Sequence, residues 1–375
     1  MGSFATVEIR EVRSEADVAT WVAVHNLASP CRPEGVRSLT HLWSTAPEWC
    51  AAIAWRDGRP VGVAHVEVEQ WSPTSRHAET TILVPREERH GGVGTALYRA
   101  VSRWAAERDR EGLDVWFDVA DRDATAYWEA RGFAEVGREW VSHLDLRSEL
   151  PAAECPPGIR LVTLAERSDL DEDMYRIGSE GIADIPNVEP YAAGDFARWR
   201  DAELGRPGLM RECSVVALAG SEVVGYAILV RFEARPGFAE HEMTAVARAW
   251  RGRGLASAMK ARQIALAGAA GLTTLEAMNE ERNASMLAVN VRLGYRPITA
   301  YVQVRGPLAG SVRAPRRTRS ARFHQHPSLP AVPPGLRGRR AEDHHSAGDR
   351  EGADGLAVHQ PRPDRVEGGL DEQQE

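Results

Sequence analysis

The chain has 375 residues and a net charge of −8, and 43% of its residues are hydrophobic, which is enough for two domains with sizeable cores. It contains no run of about 18 apolar residues and no hydrophobic signal segment at its start, so we expect a cytoplasmic protein without a membrane partner. The four scattered cysteines lack metal-ligand spacing, so we expect no metal, and the acidic balance argues against nucleic acid as a partner.

The first half of the chain predicts a strand, a helix, a hairpin, a strand that leads into a glycine-rich turn, a helix, a strand, a helix and a final strand. The elements with clear limits fall at 7–12, 15–28, 50–68, 113–120 and 124–132. The second half predicts the same series, with elements at 159–164, 168–181, 214–232, 273–279 and 284–294.

The two halves repeat each other at a constant offset of 162 in the numbering. The segment Arg89-x-x-Gly92-x-Gly94 corresponds to Arg251-x-x-Gly254-x-Ala256, and Arg131-Gly132-Phe133 corresponds to Leu293-Gly294-Tyr295. The spacing from Gly92 to Gly132 therefore equals the spacing from Gly254 to Gly294. Agreement at two distant landmarks predicts a duplicated domain, and the halves are called the first and second repeat below.

We therefore predict two α/β domains, at 7–147 and 158–306, each with a mixed, mostly antiparallel sheet. A proline-rich linker at 147–158 joins them. Residues 311–375 hold one aromatic residue and two blocks of opposite charge, which predicts a disordered C-terminal tail. A contact of its arginine-rich block with nucleic acid is the weaker alternative.

A glycine-rich turn joins a strand to a helix in each repeat. Glycine lets the backbone approach a ligand closely, and the first turn of a helix has unpaired N–H groups with partial positive charge. This arrangement suits phosphate, although the turn is neither a P-loop nor a dinucleotide-binding loop, and a plain turn without a ligand is the alternative. The predicted phosphate-binding residues are Arg251, Gly252, Arg253, Gly254, Leu255 and Ala256, and in the first repeat Arg89, His90, Gly91, Gly92, Val93 and Gly94.

These features resemble the GNAT superfamily of N-acetyltransferases, in which a strand, a (Q/R)-x-x-G-x-(G/A) turn and a helix precede a second helix that ends in (L/R)-G-(F/Y). The resemblance covers both repeats, and the tandem layout is similar to that of mycothiol-synthase-like acetyltransferases. The second repeat is the fuller match, because four residues precede its Leu-Gly-Tyr ending at the family's spacing. These residues are Asn279, Asn283, Met286 and Asn290.

The resemblance implies acetyl-CoA as the cosubstrate, with its pyrophosphate bound by residues 251–256. It implies that Val246 pairs with the pantetheine arm and that its N–H polarises the thioester carbonyl. In the first repeat, Val84 and residues 89–94 would have the same roles. The implied reaction is acetyl transfer to a primary amine, of a small molecule rather than of a protein, with the second repeat as the catalyst.

A general base is expected on the strand before the glycine turn, where many family members carry a glutamate. Glu240 and Glu242 lie on that strand, and period-two alternation places both on one face. The distance to the turn favours Glu240, with Glu242 as the alternate, and a solvated strand edge is the alternative to both. The first repeat offers Glu79 near this position.

The family's usual proton donor to the leaving thiolate is a tyrosine four residues before the glycine that ends the second helix. Trp128 and Asn290 occupy this position in the two repeats, and neither side chain is an acid. We expect Asn290 to hydrogen-bond the CoA sulfur or arm, and the proton donor is Tyr295, a water or absent. The missing tyrosine supports a rival function, a non-catalytic acyl-CoA-binding scaffold.

The segment 178–191 of the second repeat carries Glu180, Asp184 and Glu189. The resemblance places recognition of the acceptor there, and negative charge would favour a cationic amine. An exposed acidic loop that recognises nothing is the alternative.

Overall fold

A computed structural model describes residues 6–148 and 153–310, in which eight α-helices pack on one twelve-stranded sheet. The strands are β1 (Glu8–Glu11), β2 (Trp49–Arg56), β3 (Arg59–Glu67), β4 (His77–Leu83), β5 (Gly112–Asp118), β6 (Ala134–Asp145), β7 (Ile159–Thr163), β8 (Val215–Ala219), β9 (Glu222–Arg231), β10 (Phe238–Val246), β11 (Thr274–Glu280) and β12 (Arg296–Pro307). The helices are α1 (Glu15–Ala28), α2 (Val36–Thr45), α3 (Val93–Ala106), α4 (Arg122–Glu129), α5 (Asp171–Ala183), α6 (Phe196–Leu204), α7 (Leu255–Ala269) and α8 (Ala284–Arg292). The predicted tail at 311–375 lies outside the described residues.

The α/β class and the repeated order of elements are confirmed. Helix α1 begins with a capping box, in which Ser14 and Asp17 bond each other's backbone N–H groups, and it has the predicted limits. The sequence analysis missed α2 and α6, which are short, and the N-cap residue of α2 is Gly35, which has no side chain that would signal the start of the helix. None of the helices in the described ranges is long and apolar enough to cross a membrane.

The last strand of each repeat lies beside strands of the other repeat. The strand order is β1-β2-β3-β4-β5-β12-β6-β11-β10-β9-β8-β7, so β12 separates β5 from β6. All neighbouring strands are antiparallel except the pairs β4–β5 and β10–β11, which confirms the mixed, mostly antiparallel sheet. The domain limits at 7–147 and 158–306 stay predictions, because a continuous sheet with exchanged strands has no gap that marks a boundary.

The exchange is symmetric about the β6–β12 pair. Glu139 and Tyr301 are cross-strand partners, and they also occupy equivalent positions of the two repeats at the offset of 162. A pseudo-twofold axis therefore passes between these two strands. It relates each half of the sheet to the other.

The hydrophobic cores follow the exchange. The core under α3 in the first repeat includes Val302 and Val304 of β12, both fully buried. The core under α7 in the second repeat includes Leu144 of β6. Each repeat therefore buries apolar side chains supplied by the other, which couples their stabilities.

We expect this coupling to produce a single unfolding transition. Leu97→Ala in the first core and Ile264→Ala in the second each remove a fully buried side chain, at a cost of about 2–5 kcal/mol. Differential scanning calorimetry should show both variants shifting the same single transition, while Leu27→Ala, at an exposed position, leaves it in place. Two transitions, of which each core variant moves only one, would contradict the coupling.

Candidate functional site

A glycine precedes each of the helices α3 and α7. Gly92 and Gly254 have φ values of 83° and 86°, in the left-handed region that favours glycine. No side chain caps either helix, and a Cβ at either glycine would meet no atom within 4 Å. The first N–H groups of both helices therefore border open space, where a phosphate would fit. The phosphate-binding roles of residues 89–94 and 251–256 stay predictions.

The first arginine of each turn ties the turn to the end of the preceding strand. Nε of Arg251 donates to the carbonyl of Val246 at 2.9 Å, and Nε of Arg89 donates to that of Val84 at 3.1 Å. Arg251 also pairs with Asp184 at 2.7 Å, and Arg89 pairs with an aspartate that caps α4. These bonds give both guanidinium groups a structural role in holding the turn.

The parallel strand pairs separate where the site begins. Strands β10 and β11 pair only as far as His241–Ala277, and β4 and β5 only as far as Thr80–Val115. The N–H of Val246 faces the resulting gap, because in an extended strand it lies on the same side as the carbonyl that Arg251 contacts. A ligand with amide groups would complete the strand edge as an added strand does.

Glu240 lies at this separation, opposite Glu276 of β11. Its side chain is 15% exposed, and Oε2 lies 3.2 Å from Nη2 of Arg32, which comes from the loop between α1 and α2 of the first repeat. Burial raises the pKa of Glu240 to about 8, against the opposite effect of Arg32. A carboxyl group with a pKa near the working pH suits general acid–base chemistry.

Glu242 follows on the same strand face, two residues after Glu240. A β-bulge then sets two residues, Glu242 and Met243, opposite one residue of β9. The Glu242 carboxylate lies 2.6 Å from Nη2 of Arg206. It therefore has a firm partner, and its role as the alternate base stays a prediction.

The charged residues around Glu240 were missed by the sequence analysis. Glu276 Oε2 lies 2.8 Å from Nε2 of His143, on the exchanged strand β6, and 2.9 Å from Nη1 of Arg235. Burial alone would raise the pKa of Glu276, but these hydrogen bonds hold it at about 2. The first repeat thus supplies both Arg32 and His143 to the site of the second.

The same contact recurs in the first repeat with the roles exchanged. Asp114 of β5 pairs with Arg305 of β12 at 2.8 Å, and these residues are equivalent to Glu276 and His143 at the offset of 162. The sequence therefore contained a signal for these contacts, because an acidic residue and a basic or histidine residue recur at the same offset in both repeats. The signal could be interpreted only once the strand exchange was known.

Asn290 and Tyr295 have different surroundings. Asn290 is 2% exposed, its Nδ2 donates to Oδ1 of Asn279, and its own Oδ1 is buried without a hydrogen-bond partner among the residues that the structure describes. An acceptor in this state suits a donor on a ligand. Tyr295 lies in the core under α7, and its hydroxyl is hydrogen-bonded to His241. The hydroxyl of Tyr295 is thus engaged within the core, which argues against a role as proton donor.

Glu79 in the first repeat is the structural counterpart of Glu240. Glu79 lies opposite Asp114, as Glu240 lies opposite Glu276. The offset between these two glutamates is 161 rather than 162, because the bulge in β10 adds one residue after Glu240. Trp128, the counterpart of Asn290, is buried in the first core.

The carboxylates of the acidic segment 178–191 are bonded to arginine residues. Asp184 pairs with Arg248 at 2.8 Å as well as with Arg251, and Glu180 accepts a bond from the N–H of Arg248. Glu189 pairs with Arg305 at 2.8 Å. The arginine side chains neutralise Asp184 and Glu189, so the segment presents less negative charge than expected, and its recognition of a cationic acceptor stays a prediction.

We expect Glu276→Gln to lower the free energy of unfolding at pH 7 by about 3 kcal/mol, because a pKa lowered from 4.5 to about 2 reflects carboxylate contacts that glutamine loses. That stabilisation is complete above pH 4.5 and is lost as the pH falls toward 2. Urea titrations at pH 7 and pH 3 should therefore show a smaller difference from the parent chain at pH 3. The exposed Glu107→Gln serves as the control, and an equal difference at both pH values would contradict the argument.

Comparison with known proteins agrees with this arrangement. The profile of the acetyltransferase (GNAT) family matches residues 21–133 and 179–295, one stretch in each repeat. A mycothiol acetyltransferase from a Nocardioides species is 23% identical over 211 residues, which are 56% of this chain and 60% of the relative. This chain thus spans about 60% of that relative's length.

Two solved structures share the fold. A tandem GNAT protein from the clavulanic acid biosynthesis pathway matches with a TM-score of 0.66 and 23% identity, over 82% of this chain and all of that one. A GCN5-related N-acetyltransferase from Sphaerobacter thermophilus matches with a TM-score of 0.62 and 19% identity, over 80% of this chain and 96% of that one.

Proposed function

Because the chain belongs to the GNAT acetyltransferase family, we propose that it transfers the acetyl group of acetyl-CoA to a primary amine of a small molecule, with the second repeat as the catalytic unit. One observation carries the proposal. The strand β10 holds a buried glutamate where it separates from β11, and it ends at an open glycine turn before α7.

The cosubstrate site is supported by the backbone rather than by side chains. The open N–H groups at Gly254 suit the pyrophosphate, and the gap between β10 and β11 suits the amide-containing pantetheine arm. Val246 would then donate its N–H to the thioester oxygen and stabilise the negative charge that develops there. Oδ1 of Asn290, buried without a partner, would accept a bond from the arm or the thiol.

Glu240 would prepare the acceptor. An amine is a nucleophile only when neutral, and a carboxylate whose pKa is near 8 can take a proton from an ammonium group at physiological pH. The nitrogen then bonds to the thioester carbon, the carbon–sulfur bond breaks, and the second proton lost by the nitrogen passes through water to the departing thiolate. Water is the proposed donor because Tyr295 is bonded within the core.

The second repeat is preferred because it alone has the asparagine pair. Asn279 and Asn290 hydrogen-bond each other beside the gap, whereas their counterparts in the first repeat are Phe117 and the buried Trp128. Both repeats lack the tyrosine that usually protonates the thiolate, and this absence supports one alternative function, a non-catalytic acyl-CoA-binding scaffold. Cytoplasmic location and the small-molecule acceptor remain part of the proposal.

Gly254→Glu should abolish acetyl-CoA binding at the second repeat, because it places a carboxylate against the phosphate and forces a side chain into a left-handed conformation. Gly254→Ala is the matched control: it carries the same backbone strain, meets no atom within 4 Å and adds no charge. Isothermal titration calorimetry should show a far larger loss for the glutamate variant. Unchanged affinity in Gly254→Glu would refute the site.

Glu240→Gln should lower kcat by about 10²–10⁴, the usual contribution of a general base. Glu242→Gln should have a smaller effect, because the Glu242 carboxylate is held by Arg206. The assay is thiol release from acetyl-CoA with a panel of primary amines. Tight acetyl-CoA binding without turnover on any amine would favour the scaffold, and equal effects of the two variants would contradict the assignment to Glu240.

A further inference from the structure

The carboxylates near the strand separation of the second repeat are each neutralised by an arginine. Glu240 lies 3.2 Å from Arg32, Glu242 lies 2.6 Å from Arg206, and Glu276 lies 2.9 Å from Arg235. A counter-charge at contact distance offsets part of the desolvation cost of each carboxylate. The corresponding region of the first repeat has a different balance.

Three carboxylates of the first repeat meet without such partners. Glu67 of β3 lies directly opposite Glu79 of β4, and Glu69 follows two residues after Glu67. Oxygen atoms of the three side chains lie within 4.8 Å of one another. In the part of the chain that the structure describes, no arginine or lysine forms an ion pair with any of them.

A buried histidine is the second sign of a missing ligand. His65 is 8% exposed, and its Nε2 points at Oε2 of Glu67 from 3.6 Å, too far for a hydrogen bond. Both atoms are buried, and within residues 6–148 and 153–310 neither has a hydrogen-bond partner. Buried polar atoms are almost always satisfied in proteins, so this pair indicates that a donor belongs between them or beside them.

The reason for the different charge balance is the loop that each repeat extends over the other. The loop between α1 and α2 brings Arg32 to the second repeat. The loop between α5 and α6, residues 184–195, contains no arginine or lysine, and it approaches the first repeat through a bond from the N–H of Ala192 to the carbonyl of Trp71, 2.7 Å long. It brings Tyr191, whose pKa is raised by burial and by Glu69 and Glu79.

We propose that this acidic pocket, formed by Glu67, Glu69, Glu79 and His65, binds the primary ammonium group of an aliphatic amine. An ammonium group has three N–H donors, and with charge-assisted bonds of about 2.8 Å its acceptors lie about 4.6 Å apart, which is compatible with carboxylate oxygens that all lie within 4.8 Å of one another. A molecule with two ammonium groups fits the excess negative charge better than one with a single group.

The position in the fold favours an ammonium group over a metal ion. Glu79 is the counterpart of Glu240, the residue proposed to face the acceptor amine in the second repeat. This preference for an ammonium group over a metal ion rests on the proposed function, whereas the geometry and charge of the pocket are independent of it. The pocket is thus a second amine-binding site, and it differs from the first because the ligand, not Arg32, supplies the positive charge.

The test is isothermal titration calorimetry of the full chain at pH 8 with 1,4-diaminobutane, in the absence of acetyl-CoA. We expect a saturable binding component that weakens at least tenfold in Glu67→Gln/Glu79→Gln and is unchanged in the exposed control Glu107→Gln. The fully N-methylated diamine, which has the same charge but no N–H donors, should bind at least tenfold more weakly than the diamine.

Folding of the variants can be checked independently. Burial raises the pKa of Glu67 to about 8, so its ionisation opposes folding increasingly from pH 4.5 to 8, and glutamine lacks this penalty. The melting temperature of the double variant at pH 8 should therefore not fall below that of the parent chain. If it does, the single variant Glu69→Gln provides the same binding test.

Three results would overturn the proposal: no saturable diamine binding, equal binding by the double variant, or saturation by Mn²⁺ alone without any diamine binding. The outcome is separate from that of the proposed function, because no acetyl transfer is measured. Glu240→Gln should lose turnover and keep diamine affinity. If the parent chain does not bind the diamine, this proposal fails, and the expected effect of Glu240→Gln on turnover is unchanged.

Discussion

The exchange of the two last strands is the constraint on which the rest of the structure depends. Strand β12 lies against β5, and β6 lies against β11, so each strand that opens away from its parallel neighbour is supported by the other repeat. Without that support, the separated edges of β5 and β11 would lose their backbone partners on both sides. The exchange therefore allows the gaps between the parallel strands, in which the candidate sites lie. It also means that neither repeat has a complete sheet on its own.

The same exchange distributes charge between the sites. His143 and Arg305 are equivalent residues on the exchanged strands, and each binds the acidic residue of the strand beside it, Glu276 or Asp114. The framework is symmetric to this point. The symmetry ends in the loops. The loop between α1 and α2 brings Arg32 into the second site, whereas its counterpart between α5 and α6 contains no arginine or lysine. A duplicated scaffold thus holds one site with an internal cation and one with unneutralised carboxylates.

Much of the candidate site was predictable from local patterns. The glycine turns were found because a left-handed residue before a helix demands glycine, and both Gly92 and Gly254 adopt that conformation. Glu240 and Glu242 share a strand face because side chains alternate along a strand. The ion pairs of the acidic segment 178–191 were not predictable, since composition shows its charge but not the arginines, such as Arg248, that contact it in the fold.

The sequence by itself determined the duplication, the α/β class, the GNAT family and the positions of the glycine turns, because each depends on residues close together along the chain or on a repeated spacing. Only the tertiary structure decided that the last strands are exchanged, that Arg32 reaches Glu240 across the repeats, and that Glu67, Glu69 and Glu79 meet with no counter-charge from the described residues. Strand pairing depends on backbone hydrogen bonds that every sequence offers, so the side-chain pattern of β6 or β12 does not reveal which repeat it will join.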